Sequence, residues 1–165
     1  MFTYISHSPS QTNELAQKIG QVIPAGAVLA LTGELAAGKT TFCQGLAKGM
    51  GICDAVTSPT FVLLQTYQGR IPLCHIDAYR LTEDAIDETG LEDCFDGRSV
   101  VAVEWPQAIH ELLPDDAVQI RFSYYYGEGE QDHTETEPST RRIDFDFKPG
   151  ICVWLEEVIK CLSSV

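Results

Sequence analysis

Apolar positions recur along the chain in two rhythms, short runs or alternations that suit strands and three-to-four-residue spacings that suit helices. Phe2-Thr3-Tyr4-Ile5-Ser6 alternates as a half-buried strand does. Ser8-Pro9-Ser10 then offers helix-starting chemistry ahead of Leu15, Ile19, Val22 and Ile23 at helical spacing. Pro24-Ala25-Gly26 breaks that helix, and Val28-Leu29-Ala30-Leu31-Thr32 is a continuous apolar run suited to a strand buried on both faces. A glycine loop follows, and residues 39–50 predict a helix with Phe42, Leu46, Ala47 and Met50 on one stripe, closed by Gly49 and Gly51.

Residues 60–67 and 71–76 predict two strands of a hairpin turning at Gln68-Gly69-Arg70. Residues 81–95 are acidic with scattered apolar positions and predict short helices. Val100 to Val103 form another buried strand, ending at Glu104-Trp105-Pro106. A short helix over 107–113, strands over 117–125 and 141–147, and a packed helix over 151–162 carrying Val153, Trp154, Val158 and Ile159 complete the series. Between the last two strands, residues 126–140 are polar, acidic and rich in Gly, Glu and Thr, the composition of an exposed loop. Strand, glycine loop, helix and further buried strands together predict an α/β fold: a P-loop-like central sheet with a parallel core, antiparallel additions and helices on both faces.

Composition narrows the setting. At 165 residues the chain fits one compact domain over its whole length, 1–165, and no apolar run is long enough to cross a bilayer. The first residues have neither a basic n-region nor an apolar h-region, so a cytoplasmic location without membrane partners is expected. Six cysteines lack C-x-x-C spacing and mostly sit in apolar surroundings, which favours use as small hydrophobes over disulfide or metal use. Eleven Lys and Arg against 24 Asp and Glu give a formal net charge of -13, which repels a phosphate backbone. Nucleic acid is therefore expected to be met only indirectly.

The chemistry concentrates in Gly33-Glu34-Leu35-Ala36-Ala37-Gly38-Lys39-Thr40, a full match to G-x-x-x-x-G-K-[ST] between a buried strand and a helix. Such a loop wraps backbone N–H groups around phosphates and presents a helix N-terminus to their charge. Gly33 to Thr41 are thus the candidate ATP-binding residues, with Lys39 on the β- and γ-phosphates and the Thr40 hydroxyl on Mg²⁺. As a lysine at a helix start, Lys39 is expected to face solvent and contribute little to packing. A turn with an ordinary surface lysine is the plain alternative, and the flanking elements argue against it.

A Mg²⁺–nucleotide site also needs a carboxylate at the end of a neighbouring strand. Glu104 follows the Val100 to Val103 run and is the candidate metal contact, direct or through water. Asp77, inside His75-Ile76-Asp77-Ala78-Tyr79-Arg80, is the candidate for a metal-bound or attacking water. Lys39, Asp77 and Glu104 are the candidate catalytic residues, Thr40 and Glu104 the metal ligands. For either acid an unused strand-end carboxylate is the competing interpretation, and spacing favours function more for Glu104 than for Asp77. His75 reads first as a packed or hydrogen-bonded histidine, and Trp105 as core or rim packing.

Taken together, the P-loop, Thr57-Ser58-Pro59-Thr60-Phe61, His75-x-Asp77-x-Tyr79-Arg80-Leu81, Gly90-Leu91-Glu92 and Glu104-Trp105-Pro106 resemble the TsaE (YjeE) family, small ATPases of bacterial tRNA threonylcarbamoyladenosine synthesis. The resemblance covers roughly residues 8 to 113, and the last fifty residues match only in general character. It implies ATP hydrolysis in support of threonylcarbamoyl transfer to adenosine 37 of tRNA, through binding to a TsaB–TsaD heterodimer. It also implies that residues 57–61 resemble a switch I segment and that Asp77, Tyr79 and Arg80 belong to one like switch II. The family usually has glycine where this chain has Ala36, a change that is harmless at negative φ and strained at positive φ. Two other functions fit a P-loop: a small-molecule kinase, and a nucleotide-state switch with little turnover. The long loop carries no Arg or Lys to serve as a kinase lid, although Arg141 and Arg142 follow it. A GTPase is disfavoured, since the chain has no [NT]-K-x-D pattern.

Overall fold

The computed structural model describes residues 1–59, 63–82, 89–126 and 139–162. Its strands are β1 (Phe2–Ser6), β2 (Val28–Gly33), β3 (Leu64–Tyr67), β4 (Leu73–Asp77), β5 (Val100–Glu104), β6 (Val118–Tyr124) and β7 (Arg141–Asp146). Its α-helices are α1 (Pro9–Val22), α2 (Lys39–Gly49) and α3 (Val153–Leu162). The strands form one sheet in the order β1-β7-β6-β2-β5-β4-β3. The four central strands, β6-β2-β5-β4, are mutually parallel, while β7, β1 and β3 pair antiparallel at the margins. The expected parallel core with antiparallel additions is therefore present, with β2, the strand that feeds the glycine loop, at its centre.

Local chemistry explains the helix that flanks this strand. Ser8 caps α1 by accepting from the Gln11 amide, Pro9 occupies the first turn, and the Gln11 side chain accepts from the His7 amide. Such a cap contributes roughly 1 kcal/mol. The α1 and α2 backbones then approach closely through glycine: a Cβ on Gly45 would overlap the Asn13 carbonyl, and one on Gly49 the Gln17 carbonyl. Gly49 is thus the last residue of α2 and part of its packing face as well as a stop.

Side chains alternate across the sheet. Leu29 and Leu31 of β2 join Phe42, Leu46, Phe122 and Phe145 in the cluster beneath α1 and α2, which also takes Leu155 and Val158 of α3. Val28, Ile76, Val101 and Val103 face the other way and meet Leu91 and Ile109. Helices cover both faces, but among the described residues the second face carries only 3-10 helices, Leu91–Phe95 and Pro106–Leu112. The latter replaces the helix expected at 107–113 and kinks at Ile109, where the backbone leaves helical geometry.

Several boundaries shift. Strand β3 starts at Leu64, because Leu63 adopts a left-handed backbone (φ 69°) incompatible with a strand; residues 60–62 lie outside the described residues. Strand β4 starts at Leu73, after Pro72, and runs on to Asp77. Two apolar positions assigned to helix stripes, Val22 and Val153, are 45% and 49% exposed: Val22, the last residue of α1, lies at the margin of the face buried through Leu15 and Ile19, and Val153 lies on the side of α3 opposite the buried Leu155. All six cysteines are free thiols, with Cys43, Cys74, Cys94 and Cys152 buried and Cys53 and Cys161 exposed. The acidic loop expected at 126–140 lies almost wholly outside the described residues, as does part of 81–95. Among the described residues no helix is long and apolar enough to cross a membrane.

Candidate functional site

The site lies where the parallel strands end. Residues 34–38 climb from the end of β2 and re-enter the fold as α2, whose N-cap, Gly38, has a φ of 108° that only glycine adopts readily. Gly33 is constrained twice, by a φ of 137° and by β6, since a Cβ there would collide with the Phe122 carbonyl. Ala36 holds a φ of 59°, so the residue that departs from glycine stands in the left-handed region that strains an L side chain. Two groups far along the chain support this part of the loop. The Tyr124 hydroxyl donates to the Leu35 carbonyl at 3.1 Å and Arg141 to the Ala36 carbonyl at 3.5 Å, with the Arg141 guanidinium 4.3 Å over the Tyr124 ring. No motif announced either residue, because a carbonyl contact made across about a hundred positions leaves no local pattern.

Lys39 is not solvent-facing. It is only 4% exposed: Nζ donates to the Gly33 and Glu34 carbonyls, both at 2.8 Å, and sits 3.9 Å from the centroid of the Trp105 ring. The expectation failed because α2 turns its first residue inward, under the loop and beneath the indole. Burial lowers the Lys39 pKa, and the negative charges of Glu104 and Asp77 oppose that shift. Trp105 itself has a φ of 58°; this turn directly after β5 brings its ring over the lysine and within 5.0 Å of the Tyr79 ring, which is 61% exposed.

The two predicted acids end adjacent parallel strands in register, Asp77 opposite Glu104, with Leu31 of β2 on the other side of Glu104. Both are buried, not exposed strand-end carboxylates, at 5% and 3% exposure. The Thr40 hydroxyl donates to Glu104, 3.0 Å from Oε1 and 3.2 Å from Oε2. Asp77 accepts from the Ser58 hydroxyl and from the Tyr79 amide, both at 3.1 Å. Ser58 therefore joins the site from the 57–61 segment; Thr60 and Phe61 lie outside the described residues. Behind the acids, the ligand atoms of Cys43, His75 and Glu104 lie within 4.8 Å of one another, but burial holds the Cys43 thiol well above its usual range and so protonated.

Ala37, Gly38, Lys39, Thr40 and Thr41 line one side of a cleft of about 530 Å³, and Asp77, Arg80, Glu104 and Trp105 the other. A second cleft of about 540 Å³, between Pro106, His110, Gln119 and Lys148, has no glycine loop and no buried acid pair. Chemistry, not size, distinguishes the first. Glu34 contributes its carbonyl to Lys39 and does not line the cleft. The oxygen donors of Thr40 and Glu104 face each other at the mouth of the loop, a set suited to a hard cation that retains several waters, as Mg²⁺ does.

A family model described as "Threonylcarbamoyl adenosine biosynthesis protein TsaE" matches residues 6–132. The tRNA threonylcarbamoyladenosine biosynthesis protein TsaE of Bacillus subtilis is 43% identical over 114 residues, 68% of this chain and 72% of that protein. The protein of the same name from Treponema pallidum is 42% identical over 118 residues, 70% of this chain and 87% of that protein. A crystal structure of Bacillus subtilis YdiB superposes with a TM-score of 0.77 at 30% identity, covering 96% of this chain and 94% of the other. The glycine loop, the paired strand-end acids and these likenesses converge: the chain belongs to the TsaE family of threonylcarbamoyl adenosine biosynthesis proteins.

Proposed function

We propose that the chain is a cytoplasmic Mg²⁺-dependent ATPase that supports threonylcarbamoyl transfer to adenosine 37 of tRNA by nucleotide-dependent binding to a TsaB–TsaD heterodimer. The observation that carries this is the meeting of the Thr40 hydroxyl with the Glu104 carboxylate at the start of α2, beside Lys39. Amides of residues 34–39 gather the phosphates, and Lys39 adds a charged donor. Thr40 and Glu104 would hold Mg²⁺, which when bound neutralises charge on the β- and γ-phosphate oxygens. Asp77, fixed by Ser58 and the Tyr79 amide, orients the water that attacks the γ-phosphorus as the bond to ADP breaks.

The same contacts link the phosphates to the surface. Lys39 supports the Trp105 ring, and Trp105 packs on the exposed Tyr79 ring. Drawing Lys39 toward a γ-phosphate shifts that pair, so the surface at Tyr79 changes with nucleotide. The formal charge of -13 supports tRNA being held by other components. Phosphate release measured with and without purified TsaB–TsaD tests the proposal. Stimulation that needs Mg²⁺ is expected; phosphate transfer to a small acceptor, with indifference to the pair, would establish a kinase instead.

A further inference from the structure

His75 does more than fill space. It lies in β4 opposite Ala102 of β5, on the sheet face that also carries Leu73 and Val100, beneath α2. The small Ala102 side chain leaves room for the imidazole to lean diagonally to Glu104, two residues farther along β5. The ring is completely buried, and Nε2 is 2.9 Å from Glu104 Oε1, the same oxygen that lies 3.0 Å from the Thr40 hydroxyl. Carboxylate oxygens accept, so in this contact Nε2 is the donor and carries the hydrogen. Nδ1 is also buried and has no hydrogen-bond partner. An apolar side chain would pack there without leaving a buried polar nitrogen unsatisfied, so packing alone does not account for a histidine at this position.

From this geometry we infer that His75 is a positioning residue for the metal-binding carboxylate. It pins Oε1 of Glu104 from behind and thereby keeps the carboxylate turned to Thr40 instead of toward the Lys39 ammonium. The inference rests on the proposed Mg²⁺–nucleotide site and extends it one residue deeper into the sheet. Partners of this kind orient metal ligands, and their loss typically weakens metal affinity about 10–100-fold.

Two substitutions separate positioning from packing. Glutamine can place an amide N–H near the position of Nε2, whereas the shorter asparagine reaches only as far as Nδ1. Mn²⁺ titrations followed by electron paramagnetic resonance, with a non-hydrolysable ATP analogue bound, should show His75→Asn weakening Mn²⁺ at least about tenfold, with H75Q close to the wild type. Nucleotide affinity in EDTA should be alike in all three proteins. Equal Mn²⁺ affinities in the Asn and Gln variants would overturn the inference, whether both match the wild type or both are lost. A wild-type chain that binds no Mn²⁺–nucleotide would instead overturn the proposed site itself. Should H75N not fold, nitrogen NMR of the wild-type imidazole decides: the Nε2–H tautomer is expected, and the Nδ1–H tautomer refutes the assignment.

Discussion

Replacing Ala36 with glycine probes the left-handed backbone of the glycine loop. The Ala36 side chain is exposed, so no packing is lost, and what changes is a methyl group on a backbone held at φ 59°. Left-handed geometry costs an L-residue roughly 1–2 kcal/mol, which glycine escapes. Glycine also enlarges the freedom of the unfolded chain, an opposing effect of roughly 0.4–1 kcal/mol. The balance is a stabilisation of about 0.5–1 kcal/mol, or a rise in Tm of about 1–4 °C for a chain of this size. Ala36→Val should move the other way by about 1 kcal/mol or more, because a β-branched residue is a marked outlier at positive φ. Thermal unfolding by circular dichroism without nucleotide measures both. ATP affinity of Ala36→Gly should stay within about threefold of wild type, or roughly 0.6 kcal/mol, since the Leu35 and Ala36 carbonyls keep their contacts with Tyr124 and Arg141. A lowered Tm for glycine, or an unchanged one for valine, would show that residue 36 does not hold the left-handed backbone.

Other outcomes follow from the same contacts. Lys39→Met should weaken ATP binding at least about tenfold, the value of one charge-assisted phosphate contact, while relief of a buried ammonium offsets the two lost carbonyl bonds and keeps the protein folded. Calorimetry with undiminished ATP affinity would remove Lys39 from the site. Glu104→Gln should reduce Mg²⁺-dependent hydrolysis about 10–100-fold and nucleotide binding much less. Unchanged turnover and Mg²⁺ dependence would make Asp77 the better metal ligand. With a thiol reagent at neutral pH, Cys53 and Cys161 should react at once. Cys43, Cys74, Cys94 and Cys152 should wait for denaturant: all four are buried, and burial, aided by Cys74, pushes the Cys94 pKa up to about 12. Three or more fast thiols would contradict the packing.

What the sequence determined was local or periodic. A continuous apolar run at residues 28–32, a spaced glycine loop and a helical stripe over 39–50 are written within some twenty positions, and each demands a backbone conformation whatever surrounds it. Glu104 and Asp77 were legible because an acid that ends a buried strand stands out against its neighbours. Tertiary structure decided matters that depend on residues far apart. Strand register brings Asp77 beside Glu104 and sets His75 diagonally behind it; the burial of Lys39 needs the Trp105 ring to close over it. The sign of φ at Ala36, and the support that Tyr124 and Arg141 give the loop, appear only once β6 and β7 lie next to β2. Periodicity specifies which face of an element is apolar, whereas the neighbours of each polar atom are set by sheet order and close packing, and those neighbours hold the Glu104 carboxylate between Thr40 and His75.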